Sequence, residues 1–298
     1  MPRAMPAAPT NWTTKELLNW MSGAFKERGL DSPRLCAELL LAHTLGCERL
    51  RLYMEADRPA LPEEREKLRE LVGRALKQEP VQYLVGEAWF FGLPLHVDRR
   101  VLIPRPATET IVEHALQHLR RAERAHEAIR IADVCTGSGC VAVALAKHLP
   151  KGEVVATDVS EGALEVARLN AERHGVADRI DFRAGHLLEP LRGERFGLLV
   201  ANPPYIPDAE WEAVAPNVRD HEPTLALRGG ADGLDLVRPL LAGAPAHAEA
   251  GAWVLVEAAD SNALAALELV RTTDAYASAE VLDDFEGLPR VVAAQVRA

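Results

Sequence analysis

The chain has 298 residues, 48% of them hydrophobic, and carries 44 acidic against 34 basic side chains for a formal charge of -10. That apolar content can fill the core of a large domain with a smaller one attached, and the acidic balance speaks against a protein that coats nucleic acid by neutralising phosphates. Four cysteines without a dense framework or a Cys-x-x-Cys pair, a start Met1-Pro2-Arg3-Ala4 with no secretory apolar core, and no run near the ~20 apolar residues of a membrane span fit a reducing cytoplasm.

The first dozen residues, rich in Pro and Ala, read as a loose tail. Thr13 and Glu16 form a capping-box pattern ahead of an apolar stripe of Leu17, Leu18, Met21 and Phe25, which predicts a first helix. Ser32-Pro33 offers a second start, with Ser32 as cap and Leu35, Leu39, Leu40 and His43 as the stripe. A further helix is expected from Glu63 to Lys77, so residues 1–80 read as a small helical bundle. From Gln82 to Leu102, aromatic and branched residues alternate with turn glycines, as in a hairpin, and Ile103-Pro104-Arg105-Pro106 follows as a stiff loop. Residues 81–106 therefore read as a linker.

Helix and strand patterns then alternate over residues 107–298. Helices are expected at Glu109–Arg120, Val141–His148, Ala163–His174 and Leu234–Leu241. Strands are expected at Ile129–Val134, Val154–Thr157, Ile180–Phe182, Phe196–Ala201 and Trp253–Glu257, with a last helix and strand pair after them. This alternation is the pattern of an α/β sheet with helices on both faces.

Chemistry-bearing residues fall at the ends of the expected strands. Asp133-Val134-Cys135-Thr136-Gly137-Ser138-Gly139 stands where the first strand turns into a helix, and its glycines let backbone amides approach a ligand. Asp158 ends the next strand, 21 positions after Gly137, where a carboxylate can accept from a ribose diol. Together they point to a nucleoside-containing cofactor, although the full dinucleotide fingerprint is absent. A tight turn and a helix cap are the competing readings.

Asn202-Pro203-Pro204-Tyr205 follows a third strand. Asn202 offers a side-chain carbonyl and Pro203 a backbone carbonyl without an N–H, so the pair can accept both hydrogens of a planar amide. Tyr205 can stack on that plane. The plainer alternative is a Pro-Pro turn with a locally bonded Asn.

At these residues the chain resembles the protein-glutamine N5-methyltransferases that modify peptide-chain release factors, within the class I methyltransferase superfamily. Beyond Asn202 to Tyr205, the likeness rests on Pro80-Val81-Gln82-Tyr83-Leu84 with Gly86, on Leu102 to Pro106 with Thr108-Glu109, and on Glu222-Pro223. It also rests on Gly233-Leu234-Asp235 and on Asp284 to Gly287 with Arg290-Val291-Val292. The resemblance implies a seven-stranded mixed sheet flanked by helices, and a helical N-terminal domain that helps engage the release factor, with Trp20 and Phe25 as interface candidates.

The same resemblance implies S-adenosylmethionine as cofactor, bound by Asp133, Thr136, Gly137, Gly139, Asp158, His186 and Asn202. It makes Asn202, Pro203 and Tyr205 catalytic, with Arg105 and Pro204 joining them around the substrate glutamine, and no metal. Arg105 has a second reading as the anchor of a hinge. Three positions depart from the family pattern: Cys135 replaces a glycine, His186 an acidic residue, and Ala258-Ala259 follow Glu257 where His-Gly is usual. Cys135, Cys140 and Gly233 to Asp235 also resemble the sister enzymes acting on a large-subunit ribosomal protein. Nucleic-acid amino methyltransferases share the Asn-Pro-Pro-Tyr segment, and a non-enzymatic translation-factor binding module is the reading from another class.

Overall fold

A computed structural model describes residues 12–298, so all but the last residue of the expected tail lies outside the described residues. The chain divides into two compact units, Met1–Gly86 and Glu87–Ala298.

The first unit is helical, with α1 (Thr14–Glu27), α2 (Pro33–Leu45), α3 (Arg49–Met54), α4 (Pro62–Ala75) and α5 (Val81–Val85). The capping box at α1 is present: Glu16 N donates to Thr13 Oγ1 at 3.3 Å and Thr13 N to Glu16 Oε2 at 2.8 Å. Leu17, Leu18, Met21 and Phe25 are buried as the stripe requires. Phe25 is fully enclosed and is core, not interface, whereas Trp20 remains 40% exposed.

Two readings of α2 need correction. Ser32 makes no side-chain cap, because it sits in the left-handed region, and the helix opens instead on Pro33. Its core face is Ala37, Leu40 and Leu41, while Leu35 and His43 face outward. The small Ala37 completes the i, i+3, i+4 set that packs against α1. A third correction concerns residues 81–85, which are helical and not part of a hairpin. Pro80 opens that turn and Gly86, with φ 72°, closes it in the left-handed region.

The second unit opens on the hairpin of β1 (Glu87–Phe90) and β2 (Leu93–His96), turning through Phe91 and Gly92, both at positive φ. There follow α6 (Glu109–Arg121), β3 (Ile129–Val134), α7 (Cys140–His148), β4 (Gly152–Asp158), α8 (Glu161–Arg173), β5 (Ile180–Ala184) and β6 (Phe196–Ala201). After a loop holding the short α9 (Pro216–Arg219) come α10 (Val237–His247), β7 (Ala248–Glu257), α11 (Ala263–Arg271), β8 (Tyr276–Asp283) and β9 (Pro289–Val296). The helix expected from Leu234 thus starts three residues later, and the last helix is followed by two strands instead of one.

The seven-stranded sheet has the order β5-β4-β3-β6-β7-β9-β8, parallel except for β9, which runs antiparallel to both neighbours. Its two faces are both covered. Along β3, Ile129 and Ile131 enter the core with α6 and α7, while Ala132 and Val134 enter the core with α10 and α11. The register pairs Val134 with Thr157 on β4 and with Ala201 on β6, and Ala201 with Val256 on β7. Asp158, Asn202 and Glu257, with the loop after β3, therefore emerge side by side at one sheet edge.

Gly139 is demanded by packing as well as by backbone conformation. Its φ is +77°, and a Cβ there would stand 2.9 Å from the Ala167 Cβ on α8. Gly137, at φ +54°, has open space where a Cβ would go. Chemical denaturation should separate the two: Gly139→Ala loses ~2–4 kcal/mol from left-handed strain plus overpacking, and Gly137→Ala about 1–2 kcal/mol from strain alone. Equal losses would show that α8 yields without resistance.

Candidate active site

From β3 the chain crosses to β4 on one side of the sheet, and from β6 to β7 on the other. The gap between the carboxyl ends of β3 and β6 is thus the switch point where open α/β sheets bind ligands. A cavity opens there, lined among others by Arg105, Thr108, Asp133, Thr136, Gly137, Asp158, His186, Asn202 and Pro204. Gly139, Pro203 and Tyr205 are not among the residues that line it.

Asp133 organises the glycine turn. Its Oδ2 accepts from Thr136 Oγ1 at 2.6 Å and from Ala142 N, in the first turn of α7, at 3.1 Å. Asp158 clasps the same turn from the next strand, accepting from Gly137 N on Oδ2 and Ser160 N on Oδ1, each at 2.9 Å. Each carboxylate oxygen of Asp158 keeps a lone pair for a ligand. His186 stands exposed at the rim on this side, next to Gly185, whose N donates to Asp158 O at 3.0 Å. Asn170, fully buried, supports the turn from α8 by donating to Ser138 O at 2.9 Å.

Cys135 occupies its place at φ +61°, a conformation glycine adopts freely and a Cβ-bearing residue does not. Its side chain packs against the core shared with α10 and α11. Burial pushes the Cys140 thiol up to about 12 and Cys135 higher still, so neither is a ready nucleophile.

Burial also raises both carboxyl groups facing the cavity. Asp133 rises from 3.8 to about 7, desolvation outweighing its hydrogen bonds, with the charge of Asp158 adding to the rise. Asp158 is raised by burial against the pull of the amides it accepts from. Two such groups in one cleft make it receptive to a cation.

On the β6 side, Asn202 Nδ2 donates to Thr108 Oγ1 at 3.1 Å, which leaves its Oδ1 for the cavity. Tyr205 OH donates to Glu257 Oε1 at 2.9 Å, and Asn262 Nδ2 donates to the Tyr205 carbonyl at 3.1 Å. Burial, then the neighbouring Glu257 charge, keeps the Tyr205 hydroxyl protonated well above its usual range. Glu257 is fully buried and itself raised by burial, with Thr108, Tyr205, Arg290 and Arg105 working the other way. Arg105 pairs with Glu222, whose Oε2 also accepts from Ile103 N at 2.9 Å. That buried carboxylate ties the proline loop to the segment after α9.

The sequence assigned no site role to Thr108, Glu222 or Glu257, although the first two lie in segments that carry the family resemblance and Glu257 precedes one of the departures from it. Glu257 carried a usable signal, since it ends the apolar run Trp253 to Val256 as Asp158 ends its own strand. Thr108 and Glu222 lie in loops whose meeting depends on tertiary structure.

The family models that match are the PrmC N-terminal domain over residues 16–86 and the methyltransferase small domain over residues 106–219. A release factor glutamine methyltransferase of Geobacter sulfurreducens is 43% identical over 98% of this chain and 100% of its own. The enzyme of that description from Chlorobaculum tepidum is 41% identical, covering 94% and 96%. Among solved structures, a methyltransferase from Pyrococcus furiosus aligns with TM-score 0.51 at 19% identity, over 76% of this chain and 97% of that one. The catalytic domain of hMettl16 aligns with TM-score 0.54 at 17% identity, over 70% and 76%. These two likenesses speak to the fold.

The raised carboxyl of Asp133 makes stability depend on pH. A folded-state value above the unfolded 3.8 gives a contribution that is complete below pH ~4 and is lost as pH rises through about 7. Asp133→Asn keeps an acceptor for Thr136 and Ala142 and removes that loss. In ligand-free protein it should add about 2–4 kcal/mol at pH 8, the gain shrinking steadily towards pH 4. Thermal unfolding from pH 4 to 8 measures this, and a gain independent of pH would mean that Asp133 does not titrate there.

Proposed function

The chain belongs to the release factor glutamine methyltransferase family, and from that premise we propose how its own residues carry the reaction. The enzyme transfers a methyl group from S-adenosylmethionine to the N5 side-chain amide of the glutamine in the Gly-Gly-Gln motif of peptide-chain release factors. The chemistry of the cleft fits this cofactor, because two buried carboxylates face a ligand that carries a sulfonium and an ammonium charge. When bound, S-adenosylmethionine supplies an electrophilic methyl group.

Asp158 accepts from the ribose hydroxyls with its spare lone pairs. Asp133, with Thr136 and Gly137, sets negative charge and close-approaching backbone against the cationic part, and Gly139 lets the turn close on α8. His186 borders the nucleoside end. The observation that carries the substrate assignment is the orientation of Asn202, whose amide nitrogen is engaged by Thr108. Asn202 Oδ1 and the Pro203 carbonyl then accept the two N–H groups of the glutamine.

A carboxamide nitrogen is a weak nucleophile, its lone pair being delocalised. Acceptors on both N–H groups strengthen as positive charge develops on nitrogen, and they hold it in line with the methyl group. Pro204 walls the cleft, Tyr205 is steadied by Glu257 to flank the amide plane, and Arg105 borders the entrance from the proline loop. The extra proton leaves after transfer, so no general base is assigned. Within the chain, the unit ending at Gly86 serves release-factor recognition and the unit from Glu87 onward catalyses. Among the described residues no helix is long and apolar enough to cross a membrane, and we place the enzyme in the cytoplasm with its substrates.

Labelled methyl offered with release factor, large-subunit ribosomal protein, RNA and DNA should enter the release factor. Incorporation into ribosomal protein or nucleic acid alone would overturn the assignment. Asp158→Ala should weaken S-adenosylmethionine binding by roughly 1–3 kcal/mol in calorimetry. Unchanged affinity would remove it from the ribose. Asn202→Ala should lower kcat by about 10²–10³-fold while cofactor affinity holds within about threefold. A folded variant with near-normal turnover would end its proposed role.

A further inference from the structure

Behind Asn202 lies a chain of polar side chains that ends on one buried carboxylate. Glu257 is the last residue of β7, and the β6–β7 register that pairs Ala201 with Val256 sets it beside Asn202. It is fully buried, it takes a hydrogen bond from Tyr205 on Oε1, and its Oε2 has no hydrogen-bond partner. The Thr108 side chain is close enough to this carboxyl to favour its charged form. Thr108 Oγ1 accepts from Asn202 Nδ2, while none of the described hydrogen bonds uses its proton. An acceptor without a donor therefore adjoins a donor without an acceptor, and turning the Thr108 hydroxyl satisfies both.

We propose that Glu257 is a positioning residue that, acting through Thr108, fixes which end of the Asn202 amide faces the substrate. An ionised carboxylate only accepts, so Thr108 must give it the hydroxyl proton. The Thr108 oxygen then has lone pairs alone to offer, and the Asn202 NH2 must turn to it. Asn202 Oδ1 is left towards the cavity, ready for a substrate N–H. Were the amide reversed, its NH2 would meet the NH2 of the glutamine, two donors face to face. Burial favours the neutral acid at Glu257, and Thr108, Tyr205, Arg290 and Arg105 work against it towards the charged form that this relay requires. Tyr205, tied to the same carboxylate, anchors the other end of the Asn-Pro-Pro-Tyr segment.

The proposal rests on Asn202 as acceptor of the substrate amide, so the test includes Asn202→Ala. Steady-state rates on intact release factor, cofactor affinity by calorimetry and circular dichroism are compared across Glu257→Gln, Thr108→Val, Thr108→Ser and the double variant Glu257→Gln/Thr108→Val. Glu257→Gln and Thr108→Val should each lower kcat about 10- to 100-fold, with KM and cofactor Kd within about threefold, as expected for a misoriented group in a formed site. The double variant should be no slower than the slower single one, since both break one relay. Thr108→Ser, which keeps the hydroxyl, should recover most of the rate. Multiplying losses in the double variant, wild-type kcat in Glu257→Gln, or a Thr108→Ser as slow as Thr108→Val would each overturn the relay. If Glu257→Gln fails to fold, the Thr108 pair decides on the same criteria. A fast Asn202→Ala would instead remove the premise, and a slow one beside a fast Glu257→Gln would remove the relay alone.

Discussion

Parallel pairing of β3 with β4 and β6, and of β6 with β7, brings four carboxyl strand ends to one edge of the sheet, and the site depends on that register. A slip of one residue would turn Asp158 or Asn202 to the opposite face. The register is held by cores on both faces, so the strand ends are positioned by packing they share with α6, α7, α10 and α11. Functional groups carried just past such ends inherit the rigidity of the sheet.

The site keeps polar groups in places that cost stability. Asp133 and Glu257 are carboxyl groups removed from water, both raised by that burial, and Cys135 holds a backbone conformation better suited to glycine. Such features persist at functional sites because the surrounding packing over-determines them. In the proposed binding mode Asp133 gains a counter-charge from the cationic ligand, which would couple cofactor binding to the stability of the ligand-free fold. Glu257 is relieved by neighbours that are part of the chain: Tyr205, Thr108, Arg105 and Arg290.

Periodicity and turn chemistry made the α/β alternation and most strand positions legible in the sequence, and the capping box located α1 correctly. Errors arose where a local signal competed with packing. Ser32-Pro33 looked like a capped start, but the left-handed Ser32 cannot cap, and the buried face of α2 follows Ala37, a residue too small to stand out in a stripe. The hairpin reading ran into α5 because Val81 to Val85 is too short to show a helical period. The turn from Asp133 through Thr136 and Gly137, Asp158 and Asn202 could be grouped from sequence because they fall at or next to strand ends, whereas His186 entered only through the family resemblance. Thr108 and Glu222 could not, because their partners are 94 and 117 residues away and the contacts exist only after folding.

In the proposed mechanism the chemistry reduces to recognition of two N–H groups on one planar nitrogen. The most direct measurement uses intact release factor with its Gly-Gly-Gln glutamine replaced by glutamate, an isosteric side chain that offers acceptors in place of donors. Each protein is incubated with enzyme and S-adenosylmethionine, and any methyl group is located by fragment mass spectrometry. A single methyl on the side-chain nitrogen of the glutamine, and none anywhere on the glutamate protein, is expected. Methylation of the glutamate as an ester, or at another residue in both proteins, would contradict it.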